Sequence, residues 1–216
     1  MTIPIPLRQL LINAFNDLQN SDANGTLADD FGSASSFTSQ DFARVSIITA
    51  TPASAHDWLL LCLLEGARAI PDCKTLLITH AREASHLGHR LLAMSIRASS
   101  LRTGNLLDSD WSGISDRILN IRDANISIMS KDKGSTVAFT RQVLDVLRGA
   151  PPDALIIHQP RRCFPRPNSG MGLGRTGIPR SLEVVANQLH LQVIVLQNQS
   201  SAPKRGRATL TTRPLH

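Results

Sequence analysis

Residues 126–157 read ISIMSKDKGSTVAFTRQVLDVLRGAPPDALII and contain the repeating unit of the fold. Short apolar runs stand at both ends, at 126–129 and 154–157, and each has the length and composition of a buried strand. Between them, residues 135–148 have helical periodicity, with an inner face formed by Val137, Phe139, Val143, Leu144 and Leu147. Two continuously apolar strands joined by a helix are typical of a parallel crossover.

The same alternation of strand and helix continues in both directions from this unit. Further strands are predicted over 45–49, 75–79 and 193–196, and further helices over 57–69, 85–98, 110–121 and 180–190. This order predicts an α/β fold: a parallel sheet with helices on both faces, whose ligand crevice lies outside the carboxyl ends of the strands. The chain then divides into an N-terminal helix (1–20), a linker (21–43), the α/β domain (44–199) and a basic tail (200–216).

The N-terminal helix carries an apolar stripe at intervals of three and four residues over positions 5–18. A Ser-, Asp-, Asn- and Gly-rich linker of about 25 residues follows it, which is long for a connection inside a compact domain. The helix can therefore pack on its own domain or reach a neighbouring subunit, and we expect the neighbour. The contact residues expected are Leu7, Leu11, Phe15 and Leu18.

Length and composition exclude several classes of protein. The chain has 216 residues, enough for one domain of ordinary size. Its three cysteines lack CxxC spacing, which argues against a disulfide framework or a cysteine zinc site. No apolar run approaches the roughly 20 residues that span a bilayer, and no secretory signal is evident. We expect a cytoplasmic protein with no membrane partner.

The positive charge lies in two segments. The whole chain has a net charge of +6, but residues 159–180 contain five arginines and residues 200–216 four basic residues, with no acid in either. Everything else therefore has a net charge of −3. Arginine-rich, glycine-containing segments suit a phosphate backbone, although a solvated loop and tail, or an acidic protein surface, fit the same composition. The DNA-binding candidates are Arg161, Arg162, Arg166, Arg175, Arg180, Lys204, Arg205 and Arg207.

A stretch before the third main strand, LRTGNLLDSDW at 101–111, resembles a run in the motor domain of bacterial replicative hexameric DNA helicases of the DnaB type. SIITATPAS at 46–54 and the segment 181–199 are similar to that family's first strand and turn and to a later helix and strand. The resemblance implies a RecA-like, P-loop NTPase-type fold. It also implies that the N-terminal stripe corresponds to a linker helix that docks on a neighbouring subunit. The arginine-rich loop would then correspond to a loop that contacts single-stranded DNA.

The residues that the family uses for phosphoryl transfer are absent at the matching positions. A phosphate-binding turn needs glycine, lysine and a hydroxyl. At the matching turn stand Ser54, Ala55, His56 and Asp57. Ala81 replaces the catalytic glutamate, and His158 replaces the metal-binding aspartate. The resemblance therefore implies a degenerate nucleotide site with no catalytic residue, cofactor or metal.

The expected function is that of a catalytically inactive, helicase-derived protein in DNA replication or mobile-element maintenance. It would bind single-stranded DNA, and a replicative helicase or itself. Two alternatives stay open. In the first, His56, Asp57, His80 and His158 hold a divalent metal in the crevice and the protein hydrolyses phosphate esters. In the second, the protein caps a helicase ring without touching DNA.

Overall fold

The structure is a computed structural model that describes residues 4–20, 45–50, 60, 64, 66–67, 69–70, 72–93, 96, 100, 106–122, 124–165 and 177–198, without the side chains of 17–20, 45–50, 85, 122 and 197–198. The strands are β1 (Ile5–Pro6), β2 (Val45–Ala50), β3 (Thr75–His80), β4 (Ile126–Lys131), β5 (Ala154–His158) and β6 (Gln192–Asn198). The helices are α1 (Leu7–Asn20), α2 (Ala81–Ala93), α3 (Asp108–Arg122), α4 (Thr136–Gly149), α5 (Pro160–Cys163) and α6 (Arg180–Gln188). Within the helix predicted over 57–69, the described residues Leu60, Leu64, Gly66, Ala67 and Ala69 are helical.

The strands form one six-stranded sheet in the order β1-β4-β3-β5-β6-β2. The pairings β4-β3, β3-β5, β5-β6 and β6-β2 are all parallel, which confirms the predicted parallel α/β fold. Strand β6 lies between β5 and β2, so the first and fourth of the five parallel strands are not neighbours. None of the described helices is both long and apolar enough to cross a membrane.

Two apolar cores lie on opposite faces of the sheet because neighbouring strand residues point to opposite sides. On β3, Leu77 belongs to the core beneath α1, α2 and α3, whereas Leu76 and Ile78 belong to the core beneath α4, α5 and α6. All three side chains are at most 3% exposed. The near-continuous apolar strands of the sequence thus reflect burial on both faces.

Several element boundaries differ from those expected. Helix α2 begins at Ala81, directly after β3, rather than at residue 85, and ends at Ala93. Val137 was expected on the inner face of α4 but is 48% exposed. Strand β1 was not predicted; Ile5 and Pro6 pair with Ile128 and Ser127 in an antiparallel contact too short to leave a sequence pattern.

Helix α1 packs on its own chain, which corrects the expectation that its stripe contacts a neighbouring subunit. Leu7, Leu11 and Ala14 are at most 2% exposed and share the core beneath α2 and α3. The ring of Phe15 meets that of Trp111 edge-on, with 5.8 Å between centroids. The physical reason is that the outer face of α2 and α3 is itself apolar and is covered by the stripe. The side chain of Leu18 lies outside the described residues.

Candidate functional site at the carboxyl end of the sheet

The strand order places a crevice between the carboxyl ends of β3 and β5. After β3 the chain enters α2 on one face of the sheet, and after neighbouring β5 it enters α5 on the opposite face. Adjacent strands whose connections leave to opposite faces form a topological switch point, which is where open α/β sheets bind ligands. The candidate site is therefore built from the residues that end β3, β4 and β5 and from the first turns that follow.

A buried hydrogen bond joins the ends of β3 and β5. The Oγ1 of Thr79 and the Nδ1 of His158 are 2.9 Å apart, and the two residues are 1% and 0% exposed. Their strands run parallel with Ile78 opposite Ile157, so the next residues along lie side by side. His158 is thus part of the packed interior, which corrects its description as a polar residue of an open crevice.

The segment after β3 places an alanine and a glutamate near this pair. Ala81, the residue matched to the catalytic glutamate, is the first residue of α2 and offers only a methyl group. The imidazole Nδ1 of His80 accepts a hydrogen bond from the backbone N–H of Arg82 at 3.3 Å. Two residues further on, Glu83 accepts a hydrogen bond from the Nη1 of Arg162 at 2.8 Å. Sequence reasoning missed Glu83, although an acid in the first turn of a helix is a recognisable signal.

The start of the arginine-rich loop is anchored, not free. Pro160, Cys163 and Phe164 are buried, and Phe164 packs on Phe139 with 5.8 Å between ring centroids. Phe164 was the one aromatic available for base stacking in this loop, but at 1% exposure it cannot stack on a base. The short helix α5 therefore presents the exposed Arg161 and Arg162 from a fixed base.

Gln159 links β5 to α5 in a strained conformation. Its φ of 51° and ψ of 62° lie in the left-handed region, which non-glycine residues rarely adopt. Its side-chain Oε1 is buried and has no hydrogen-bond donor among the described residues. Strain and unsatisfied acceptors concentrate at functional sites, so both features indicate that this edge of the sheet is the functional one.

Lys131, at the end of β4, was not singled out by the sequence. It is 6% exposed, and its Nζ donates hydrogen bonds to the backbone carbonyls of Asp132 and Gly134, the latter at 2.8 Å. These bonds shape the turn before α4, where Gly134 has a φ of 132°. Lys131 is also a source of positive potential at the Cys163 thiol. The site therefore contains a buried cation besides its exposed arginines.

Burial raises the pKa of the Cys163 thiol to about 12, although the positive charges of Lys131 and Arg162 oppose the shift. Only the thiolate reacts with maleimides, so we expect Cys163 to react at least ~100-fold more slowly in the folded protein than in urea. Mass spectrometry of peptides after timed labelling measures both rates, and equal rates would contradict the described burial. Because the unfolded thiol ionises from about pH 9, this group also lowers the stability of the fold as the pH rises from 9 to about 12.

The remaining predicted site residues are placed as follows. Arg180 is the exposed first residue of α6. Outside the described residues lie Ser54, Ala55, His56, Asp57, Arg166, Arg175, Lys204, Arg205 and Arg207. Within the described part of the chain, no group of three or more His, Cys, Asp or Glu residues could hold a metal ion. Of the four residues proposed as metal ligands, the structure describes His80 and His158.

Solved structures with the same arrangement include two helicase proteins. One, a helicase ATPase domain, superimposes with a TM-score of 0.51 at 19% identity, covering 74% of this chain and 59% of that one. A DnaB-like replicative helicase, solved in a study of its interactions with primase, gives a TM-score of 0.51 at 19% identity and covers 88% and 48%. The fold is RecA-like. This chain spans about half the length of these proteins. No protein-family model matches it, and no curated protein sequence does.

Proposed function

We propose that this chain is a helicase-derived protein that binds single-stranded DNA and does not hydrolyse nucleotides. The observation that carries the proposal is the buried Thr79–His158 pair at the switch point, next to two exposed arginines on an anchored helix. At the positions matched to the metal-binding and catalytic carboxylates, the chain has an imidazole held by a hydroxyl and the methyl group of Ala81. Neither group supplies the negative charge that a nucleotide-bound Mg²⁺ requires.

The arginines support the DNA-binding half of the proposal. Residues 159–180 contain five arginines and no acid, and the described ones lie at the carboxyl end of the sheet. A guanidinium group donates paired hydrogen bonds to phosphate oxygens, and this recognition does not depend on base sequence. Because Phe164 is buried, base stacking adds nothing from this part of the loop, and binding is dominated by charge.

The partner-binding half concerns α1. We propose that the chain associates with itself or with a helicase subunit by exchanging this helix, because Leu7 and Leu11 are already buried in its own core. Residues 21–44, between Asn20 and Val45, span up to roughly 80 Å when extended, so chain length permits the exchange. A partner would then receive the stripe on a surface equivalent to that of α2 and α3.

A fluorescence titration with labelled oligothymidine at two salt concentrations tests DNA binding. We expect micromolar or tighter binding at low salt, and the double variant Arg161→Ala/Arg162→Ala is expected to weaken it about tenfold. Loss of two phosphate contacts also reduces the slope of log affinity against log salt by about 1.4. A conservative control, Arg161→Lys/Arg162→Lys, keeps the charge and most of the affinity. Binding weaker than micromolar at low salt, or unchanged in the alanine variant, would overturn this half of the proposal.

A further inference from the structure

One carboxylate at the candidate site is shared by two guanidinium groups. The Oε1 of Glu83 accepts a hydrogen bond from the Nη1 of Arg162 at 2.8 Å, and its Oε2 lies 3.6 Å from the Nη1 of Arg90. The Glu83 side chain is 13% exposed, whereas that of Arg162 is 54% exposed. The carboxylate is therefore largely covered, while the guanidinium group of Arg162 remains open to solvent.

This ion pair crosses the crevice at the switch point. Glu83 lies on α2, which covers one face of the sheet, and Arg162 lies on α5, which packs on the other. Helix α5 cannot carry Arg162 away without removing Cys163 and Phe164 from the core, because both are buried. The guanidinium group is thus held within reach of Glu83 by packing that does not depend on the ion pair.

We infer that Glu83 competes with nucleic-acid phosphate for Arg162 and so limits the affinity of this surface for single-stranded DNA. The inference rests on the proposed DNA-binding function. A carboxylate and a phosphate offer a guanidinium group the same pair of oxygen acceptors, so Arg162 cannot serve both at full strength. Of the groups whose charge acts on the nearby Cys163 thiol, Lys131 and Arg162 are basic and Glu83 is acidic. Glu83 is therefore the group here that repels an incoming phosphate.

The substitution Glu83→Gln tests this competition, because it keeps the shape of the side chain and removes its charge. We expect the variant to bind labelled oligothymidine about three- to tenfold more tightly at low salt, with a salt slope steeper by about 0.7. Asp145→Asn is the matched control, since it makes the same change of charge on the exposed side of α4. This control is expected to change the affinity less than twofold.

The same substitution in an Arg162→Ala background shows whether the effect passes through Arg162. There Glu83→Gln is expected to gain less than twofold, because the arginine it releases is absent. An equal gain in both backgrounds, a gain matched by Asp145→Asn, or weaker binding by Glu83→Gln would each overturn the inference while leaving DNA binding intact. If neither the wild type nor Glu83→Gln binds the oligonucleotide, the proposed function itself fails, and the inference fails with it.

Discussion

Replacing Asp110 with alanine is expected to lower the free energy of unfolding by about 3 kcal/mol or more. The carboxylate of Asp110 is 1% exposed, and its Oδ2 accepts hydrogen bonds from the Oγ of Ser100 at 2.6 Å and from the backbone N–H of Leu107 at 2.9 Å. Alanine removes the acceptor and leaves both donors without it; that of Ser100 is buried. It also removes the side chain that ties residue 100 to the first turn of α3.

Urea denaturation followed by circular dichroism measures this effect, and two further variants separate its parts. Asp110→Asn keeps an oxygen acceptor of the same shape and is expected to cost about half as much, because the charge-assisted bonds become neutral ones. Ser100→Ala removes one donor and leaves the bond to Leu107, so about 1 kcal/mol is expected. An Asp110→Ala protein within about 0.5 kcal/mol of the wild type would show that these bonds do not hold the segment.

The structure assigns a physical role to the end of the LRTGNLLDSDW run. Asp110 fixes the start of α3, and the next residue, Trp111, meets the ring of Phe15 on α1 at 5.8 Å and 86°. Edge-to-face aromatic contacts of this kind add stability beyond the area that they bury. The most specific motif in the sequence is thus, in its described part, a platform for the N-terminal helix.

The parallel sheet could be predicted from the sequence because its evidence is local. Each strand is a short apolar run, and each helix shows its own periodicity, as in residues 126–157. Three features could not be predicted because they depend on contacts between distant parts of the chain. These are the edge pairing of β1 with β4, the burial of Phe164 within an apparently polar loop, and the packing of α1 on α2.

The candidate site shows the same division. The sequence placed His158 at the carboxyl end of a strand, and the structure has it there. Its burial follows from the neighbour that the fold supplies: Thr79 lies 79 positions earlier in the chain and forms its hydrogen bond only once β3 and β5 pair. The contact of Glu83 with Arg162 also spans 79 positions. Periodicity and motif spacing carry no information about such pairs.

Replacing Gly88 with alanine is expected to loosen α1 from α2. A Cβ at Gly88 would lie 2.6 Å from the carbonyl oxygen of Leu10 and 3.0 Å from the Cβ of Ala14. Real Cβ atoms do not approach a backbone oxygen so closely, and no flexible side chain is there to yield, so α1 itself must move. Alanine favours the helix by about 1 kcal/mol over glycine. We expect the clash to exceed this gain and leave a net loss of about 2 kcal/mol.

Two measurements check this expectation. Urea denaturation gives the loss of stability, and limited trypsin digestion at Arg8 reports whether α1 has left its groove. Gly149→Ala, at the end of α4, is the matched control because a Cβ there meets nothing within 4 Å. A displaced stripe exposes Leu7 and Leu11, so light scattering of the Gly88→Ala protein should also show association that increases with concentration. If Gly88→Ala is as stable and as protected at Arg8 as Gly149→Ala, then α1 does not lie against α2, and the exchange proposed for it loses its starting point.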